Sequence, residues 1–166
     1  GVAPHNITLH EAWNQETFDA NDYFNGTAFR VYQIRIFTEL LERDPILFTG
    51  YGLNASGSKI EEKGIEHNLA FKEGDGMIYN KQNFHNQYVE AFADLGIFGL
   101  LLVLAMHFFN VKNALRSKDF VHIAFAILMI ALFLTESFLW RQRGVVCFTV
   151  FYCLFNSFLP GYTEKE

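Results

Sequence analysis

Three stretches of this chain, residues 95–111, 120–135 and 144–163, contain no Asp, Glu, Lys or Arg. Only the short polar segments NVKNALRSKD and ESFLWRQR separate them. A bilayer core takes about 20 mostly apolar residues per helical crossing. Without water to satisfy the backbone, only helices or closed barrels cross it. None of the three stretches alternates polar and apolar residues, so all three read as helices. The expectation is an all-α membrane protein with about three transmembrane helices, near 86–109, 120–138 and 145–159. The last is short and stops at Pro160-Gly161. A large extramembrane segment of helix and loop, 1–84, precedes them. The competing fold is a soluble protein with buried helices, which would extract without detergent.

Charge divides the chain in the same place. Residues 1–84 hold 12 acidic and 7 basic side chains, whereas 85–166 hold 6 of each. The acidic excess of the first half argues against nucleic acid as a partner. The chain opens in polar sequence, GVAPHNITLHEAWNQ, with no apolar leader, and reads as the C-terminal part of a longer membrane protein. Cys147 and Cys153 lie six residues apart, on different faces of a helix, and suggest neither a disulfide nor a metal pair.

Residues 1–26 show no clear period. Thr27 is placed to cap a helix running to about residue 44, with Val31, Ile34, Phe37 and Leu41 at helical spacing and Leu40 beside them. Pro45 ends it by restricting Asp44. FTGYGLNASGS is a Gly/Ser-rich loop, and its lone Gly-x-Gly lacks the strand and helix context of a nucleotide site. Residues 59–84 read as loop with at most one helical turn. Asn86 should cap the first membrane helix, with Glu90 and Asp94 as favourable charges near its positive end. The loop at 110–119 carries Lys112, Arg116 and Lys118 against Asp119, so the positive-inside rule makes it cytoplasmic. Residues 1–85 and 136–144 then share the opposite face, and a third crossing returns the C-terminus to the cytoplasm. The basic segment WRQRG sits where that rule disfavours it, which points to an anion there.

Three residues stand out as carriers of chemistry. Arg30 falls at the third position of a helix capped by Thr27, where a cation opposes the dipole by a few tenths of a kcal/mol, about 0.3. A bound phosphate would reverse that sign, since a guanidinium fork beside free backbone N–H groups holds anions well. The plain alternative is a solvated or surface-paired arginine. Arg35 lies about 140° further round the helix. His85, in KQNFHNQYVEAF, stands at the expected water–lipid boundary, where it could act as a general base or merely cap the helix. Glu136 follows an uncharged run and needs a partner, with Arg141 and Arg143 the nearest cations in sequence. His5, His10 and His67 have no metal-site spacing.

With these residues placed, three pieces resemble the O-antigen ligase and polymerase family. FRVYQIRIFTELLERDPILFTGYGLN is similar to its Arg-led amphipathic helix followed by a Gly-x-Gly loop. FHNQYVEAFADLGIFGLLLVL is similar to its His-Asn segment opening into a membrane helix with Gly-x-x-Gly. LTESFLWRQRGVVCFTVFY is similar to its late helix pair. The match spans about 26–155 and departs at Ile34, where the family often has Trp. The resemblance implies a multi-pass enzyme of the bacterial inner membrane. Such an enzyme transfers a glycan from an undecaprenyl-pyrophosphate carrier to a lipid A core or glycan hydroxyl at the periplasmic face, without metal or cofactor. It implies pyrophosphate binding by Arg30 and Arg35 and His85 as the catalytic base; the crossing count, more than any motif, adds Arg141 or Arg143 at the leaving group, with Glu136 a substrate-binding candidate on the same face. A polymerase of the same family, or a non-catalytic transporter or assembly subunit, is the alternative.

Overall fold

A computed structural model describes residues 4–19, 21–69 and 82–157. Among them the protein is built from helices: α1 (Leu9–Asn14), α2 (Gly26–Arg43), α3 (Ser56–Glu66), α4 (Gln87–Ser117), α5 (Phe120–Thr135) and α6 (Gln142–Ser157), with a 3-10 turn at Phe138–Trp140. A two-residue parallel pair, β1 (His5–Asn6) and β2 (Asp22–Tyr23), ties down the start of the chain.

The first half is more ordered than its sequence pattern suggests. Thr8 opens α1 through a capping box: its hydroxyl accepts from Glu11 N, and its own N–H donates to the Glu11 carboxylate at 2.8 Å. The expected loop over 59–84 is corrected by α3; residues 70–81 of that range lie outside the described residues. The buried face of α3 is Ser56, Ile60 and Gly64. Its spacing is helical, but only Ile60 is a large hydrophobe, so no apolar period shows.

In α2 the cap is Asn25 rather than Thr27, its side chain accepting from Thr27 N and Ala28 N. Arg30 is therefore the fifth helical residue, not the third. The buried stripe is Phe29, Tyr32, Ile36 and Leu40, whereas Ile34 and Leu41 are exposed and Val31 and Phe37 only partly covered. Hydrophobes occur on most sides of α2, and packing against Phe18, Phe24 and Phe84 selects the stripe.

Asn86 caps α4 as expected, its Oδ1 accepting from Tyr88 N and Val89 N at 3.0 and 3.1 Å. The helix runs on to Ser117, past the expected end near 109. The segment VKNALRS contains good helix formers and nothing that stops it before Lys118 turns left-handed at φ 54°. The connection to α5 is thus two residues, with Asp119 capping α5. The helix expected over 120–138 ends at Thr135, and the one expected over 145–159 begins earlier, at Gln142. Its final residues, 158–159, and the Pro160-Gly161 stop lie outside the described residues.

Gly96 breaks α4, with φ 66° and ψ −158°. The backbone of the 46–52 loop fills the break: Ile97 N donates to Leu47 O, while Tyr51 N and Gly52 N donate to Ala93 O and Asp94 O. Gly50 and Gly96 both have positive φ, and a Cβ on either would collide with the other segment's backbone. Only glycine fits at this crossing.

Among the described residues, α4 is the one helix long and apolar enough to cross a membrane. α5 and α6, at 16 residues each, span about 24 Å as straight helices, short of a core about 30 Å thick. Length and composition therefore bear out one of the three expected crossings. The two halves have separate cores, one around Phe18, Tyr32, Ile36 and Phe84, the other around Phe125, Met129, Phe133 and Phe148.

Candidate functional site

Three of the residues singled out from sequence meet at one end of the α4–α5 pair. Glu136 caps the C-terminus of α5. Its Oε1 accepts from Arg30 Nη2 at 3.0 Å, across 106 residues of sequence. Its Oε2 lies 3.1 Å from His85 Nδ1, across 51 residues. The expected partners Arg141 and Arg143 are not the ones that pair with it. A carboxylate at a helix C-terminus opposes the dipole, and the Arg30 cation offsets it. Arg30 Nε also donates to Thr135 O at 3.1 Å and Nη1 to Gly26 O at 3.1 Å. Asn86 Nδ2 donates to Leu134 O at 3.2 Å. The open carbonyls ending α5 are thus satisfied by the helix starts that flank them.

The guanidinium has five N–H donors. Three are committed in this way among the described residues, which leaves two for a ligand. Because Asn25 occupies Thr27 N and Ala28 N, an anion here would be held by side chains more than by the N-terminus of α2.

His85 has φ 48°, a left-handed conformation for a residue with a side chain. Such strain costs on the order of 1 kcal/mol and persists where its surroundings impose it. Asn83 Oδ1 accepts from His85 N at 3.0 Å, and the Phe29 ring meets the imidazole edge-on. Behind the pair lies Glu90, 2 % exposed. Its Oε2 accepts from Phe84 N at 3.2 Å and from Ser137 Oγ at 2.9 Å, and its Oε1 from Ser56 Oγ at 2.7 Å. One carboxylate thereby grips the residue before His85 and the residue after Glu136. In sequence Glu90 reads as a dipole-favoured surface acid. That a buried acid was needed there depends on which segments converge on it, which spacing along the chain does not encode.

A cavity of about 350 Å³ opens at this cluster, lined by Gln82, Asn83, His85, Glu136, Arg141 and Arg143 among others. A second, of about 200 Å³, lies on the other side of His85, against Tyr23, Phe29 and Arg30. Arg141 and Arg143 are exposed and pair with no carboxylate among the described residues.

Arg35 is elsewhere. It is 9 % exposed, its Nη1 donates to Gln15 O at 2.6 Å, and its Nε donates to Glu39 at 2.7 Å. It is the cation at the C-terminus of α1, where the dipole favours it. Five residues along α2 have turned it away from Arg30. Around it, Lys63 Nζ lies 3.2 Å from Glu39 and His67 Nε2 lies 3.1 Å from the same oxygen. Burial alone would push Glu39 up, but the Arg35 guanidinium and the neighbouring cations more than cancel that, and its carboxyl sits below the usual range. Burial pushes His67 down despite Glu39, so near neutral pH their contact joins a neutral imidazole to a carboxylate.

Comparison with protein-family models, curated proteins and solved structures finds no match to this chain.

Proposed function

We propose that this chain belongs to a multi-pass enzyme of the bacterial inner membrane, similar to the O-antigen ligases. The enzyme transfers a glycan from an undecaprenyl-pyrophosphate carrier to an acceptor hydroxyl at the periplasmic face. The observation that carries the reading is the meeting of His85, Glu136 and Arg30 beside a cavity that also holds two arginines without acidic partners among the described residues.

The chemistry follows from those groups. The Glu136 carboxylate at Nδ1 favours a proton there, leaving Nε2 as the basic nitrogen, the arrangement by which carboxylates orient catalytic histidines. Nε2 takes the proton of the acceptor hydroxyl as its oxygen attacks the anomeric carbon. The bond from that carbon to the pyrophosphate oxygen breaks, and the departing lipid pyrophosphate keeps the electron pair. Arg30, Arg141 and Arg143 stabilise the charge that develops there. Arg35 has no part in this reading. A polymerase would use the same step with another glycan chain as acceptor.

The transporter reading would use a broken membrane helix as a ligand site. The break at Gly96 is filled by Leu47 O, Tyr51 N and Gly52 N, which leaves those backbone groups committed to the protein itself.

The test is His85→Ala in the full-length protein. Transfer should slow by roughly 10²–10⁴-fold, the contribution of a positioned base, while carrier-lipid binding and the melting temperature stay near wild type. A folded His85→Ala protein with wild-type turnover would remove the base and this reading with it.

A further inference from the structure

We propose that the indole of Trp140 is the floor of a binding subsite for a neutral pyranose ring, adjoining the His85 cavity. Trp140 ends the 3-10 turn and is 48 % exposed. Its edge is nevertheless tied: Nε1–H donates to Asn54 Oδ1 at 3.0 Å. Asn54 is itself held, with its N–H donating to Asp94 Oδ2 at 3.1 Å and its φ at 59°. Asn54 lies two residues past the loop spliced into the α4 break, so the indole is tied to that crossing. A tethered, exposed aromatic face is preorganised for a flat ligand.

The walls around that face give the ligand its class. A cavity of about 200 Å³ lies beside Trp140, lined by Ser56, Glu61, Gln82, Asn83 and Glu90. Gln82, Asn83 and Trp140 also line the His85 cavity, so the two adjoin across a shared wall. Neither Glu61 nor Gln82 has a hydrogen bond or ion pair to any described residue. An uncommitted carboxylate and an uncommitted amide beside an indole suit a ring that is apolar on one face and hydroxylated at its rim. The C–H groups of a pyranose stack on the electron-rich indole face, and its hydroxyls donate to Glu61 and exchange hydrogen bonds with Gln82. The Glu61 carboxylate on this wall disfavours phosphate, whereas Arg141 and Arg143 line the other cavity. The charges thus separate an anion-binding side from a sugar-binding side. Taking the ring as the sugar next to the reacting one rests on the transfer reading; the subsite itself does not. The competing role for an exposed tryptophan at a membrane boundary is an interfacial anchor, and the variants below separate the two.

The experiment is saturation-transfer NMR on the full-length protein in detergent, with methyl glycosides of neutral hexoses and N-acetylhexosamines as probes. At least one glycoside should show ring-proton signals in the wild type, in His85→Ala and, reduced, in Trp140→Phe, which keeps a flat face. The signals should vanish in Trp140→Leu, which keeps the apolar bulk an anchor needs, and weaken in Gln82→Ala, an exposed-cavity change that spares the Trp140 packing. Inorganic pyrophosphate should not displace them. Transfer kinetics of Trp140→Leu should show KM raised about tenfold, the size of one lost aromatic contact. The substrate whose KM rises, donor or acceptor, is the one that brings the ring. The proposal is overturned if no glycoside gives a signal, or if Trp140→Leu and Gln82→Ala bind as wild type. If Trp140-dependent binding persists while His85→Ala transfers normally, the transfer reading falls and the sugar site stands.

Discussion

Both halves of this molecule bury aromatic rings, but they differ in what they turn outward and in how their buried polar groups pair. The first half closes on rings: Tyr32 meets Phe18, Phe24, Phe29 and His67 with centroids 5.3–6.5 Å apart, and Asp22, Gln33 and Arg35 are buried in the same half. The helical half turns large hydrophobes outward, among them Phe98, Phe108, Phe120 and Ile127. Inside, it holds polar groups: Asn110 Oδ1 lies 3.0 Å from His122 Nε2 and accepts from Asn156 Nδ2 at 3.1 Å, and Asn113 Nδ2 donates to Asn156 Oδ1 at 2.7 Å. Asn110 and His122 are buried. In water, apolar burial drives packing. Among helices whose surroundings are as apolar as their own side chains, packing relies on close contact and interhelical hydrogen bonds. The outward hydrophobes and interhelical amide pairs of the second half are what the proposed membrane placement calls for. The candidate site lies at the seam between the two halves.

The largest effect that would test this contrast is Tyr32→Ala. It removes the central ring of the first core and should cost about 3–5 kcal/mol. Limited proteolysis should then cleave residues 4–69 while α4 and α5 stay protected. Equal loss of protection in both halves would show one shared core. The counterpart in the helical half is Asn110→Ala, which leaves His122 and Asn156 without their shared acceptor. If the surroundings are lipid-like, the loss should be about 0.6–2 kcal/mol, because the unfolded helices also find partners. A loss as large as that of Tyr32→Ala would contradict the reading.

The smallest predicted effect is the acid sensitivity of the first half. The folded-state pKa of His67 is depressed from 6.5 and that of Glu39 from 4.5. A depressed group contributes stability above its unfolded pKa and loses it as pH falls, because the unfolded chain takes up the proton first. The His67 contribution should therefore fade below about pH 6.5 and that of Glu39 from about 4.3 downward. Melting of the first half, followed by proteolysis between pH 7.5 and 4, should weaken in that order. His67→Gln should remove the earlier part, and an unchanged profile in that variant would contradict the assignment.

Arg30 was legible because its charge opposed a helix start, His85 because it stood at the expected water–lipid boundary, and Glu136 because it followed an uncharged run. Sequence reasoning could not pair them, since Glu136 meets Arg30 and His85 only through the way the segments are threaded, whereas Arg141 and Arg143 were its nearest cations along the chain. The 140° between Arg30 and Arg35 already separated their faces, whereas the carbonyls of α1 that Arg35 meets were not legible. The capping box Thr8–Glu11 was a readable signal for α1. By contrast, α3 hid behind Ser56 and Gly64, and Glu90 behind its helix-start position. The Asn86 cap, the Pro45 stop and the apolar stretches were legible because each follows from local chemistry. The exchange between Gly96 and the 46–52 loop was not, because two glycines distant in sequence acquire their meaning only where they touch.

The central claim is that His85 and Glu136 act as one unit in transfer. A double-mutant cycle on the full-length protein, with His85→Ala, Glu136→Ala and the double variant assayed for the proposed glycan transfer, tests it most directly. Groups that act together are strongly non-additive. The account predicts that each single variant loses most of the activity and that the double variant is no slower than His85→Ala alone. Losses that multiply across the cycle, or a Glu136→Ala protein with wild-type turnover, would contradict it.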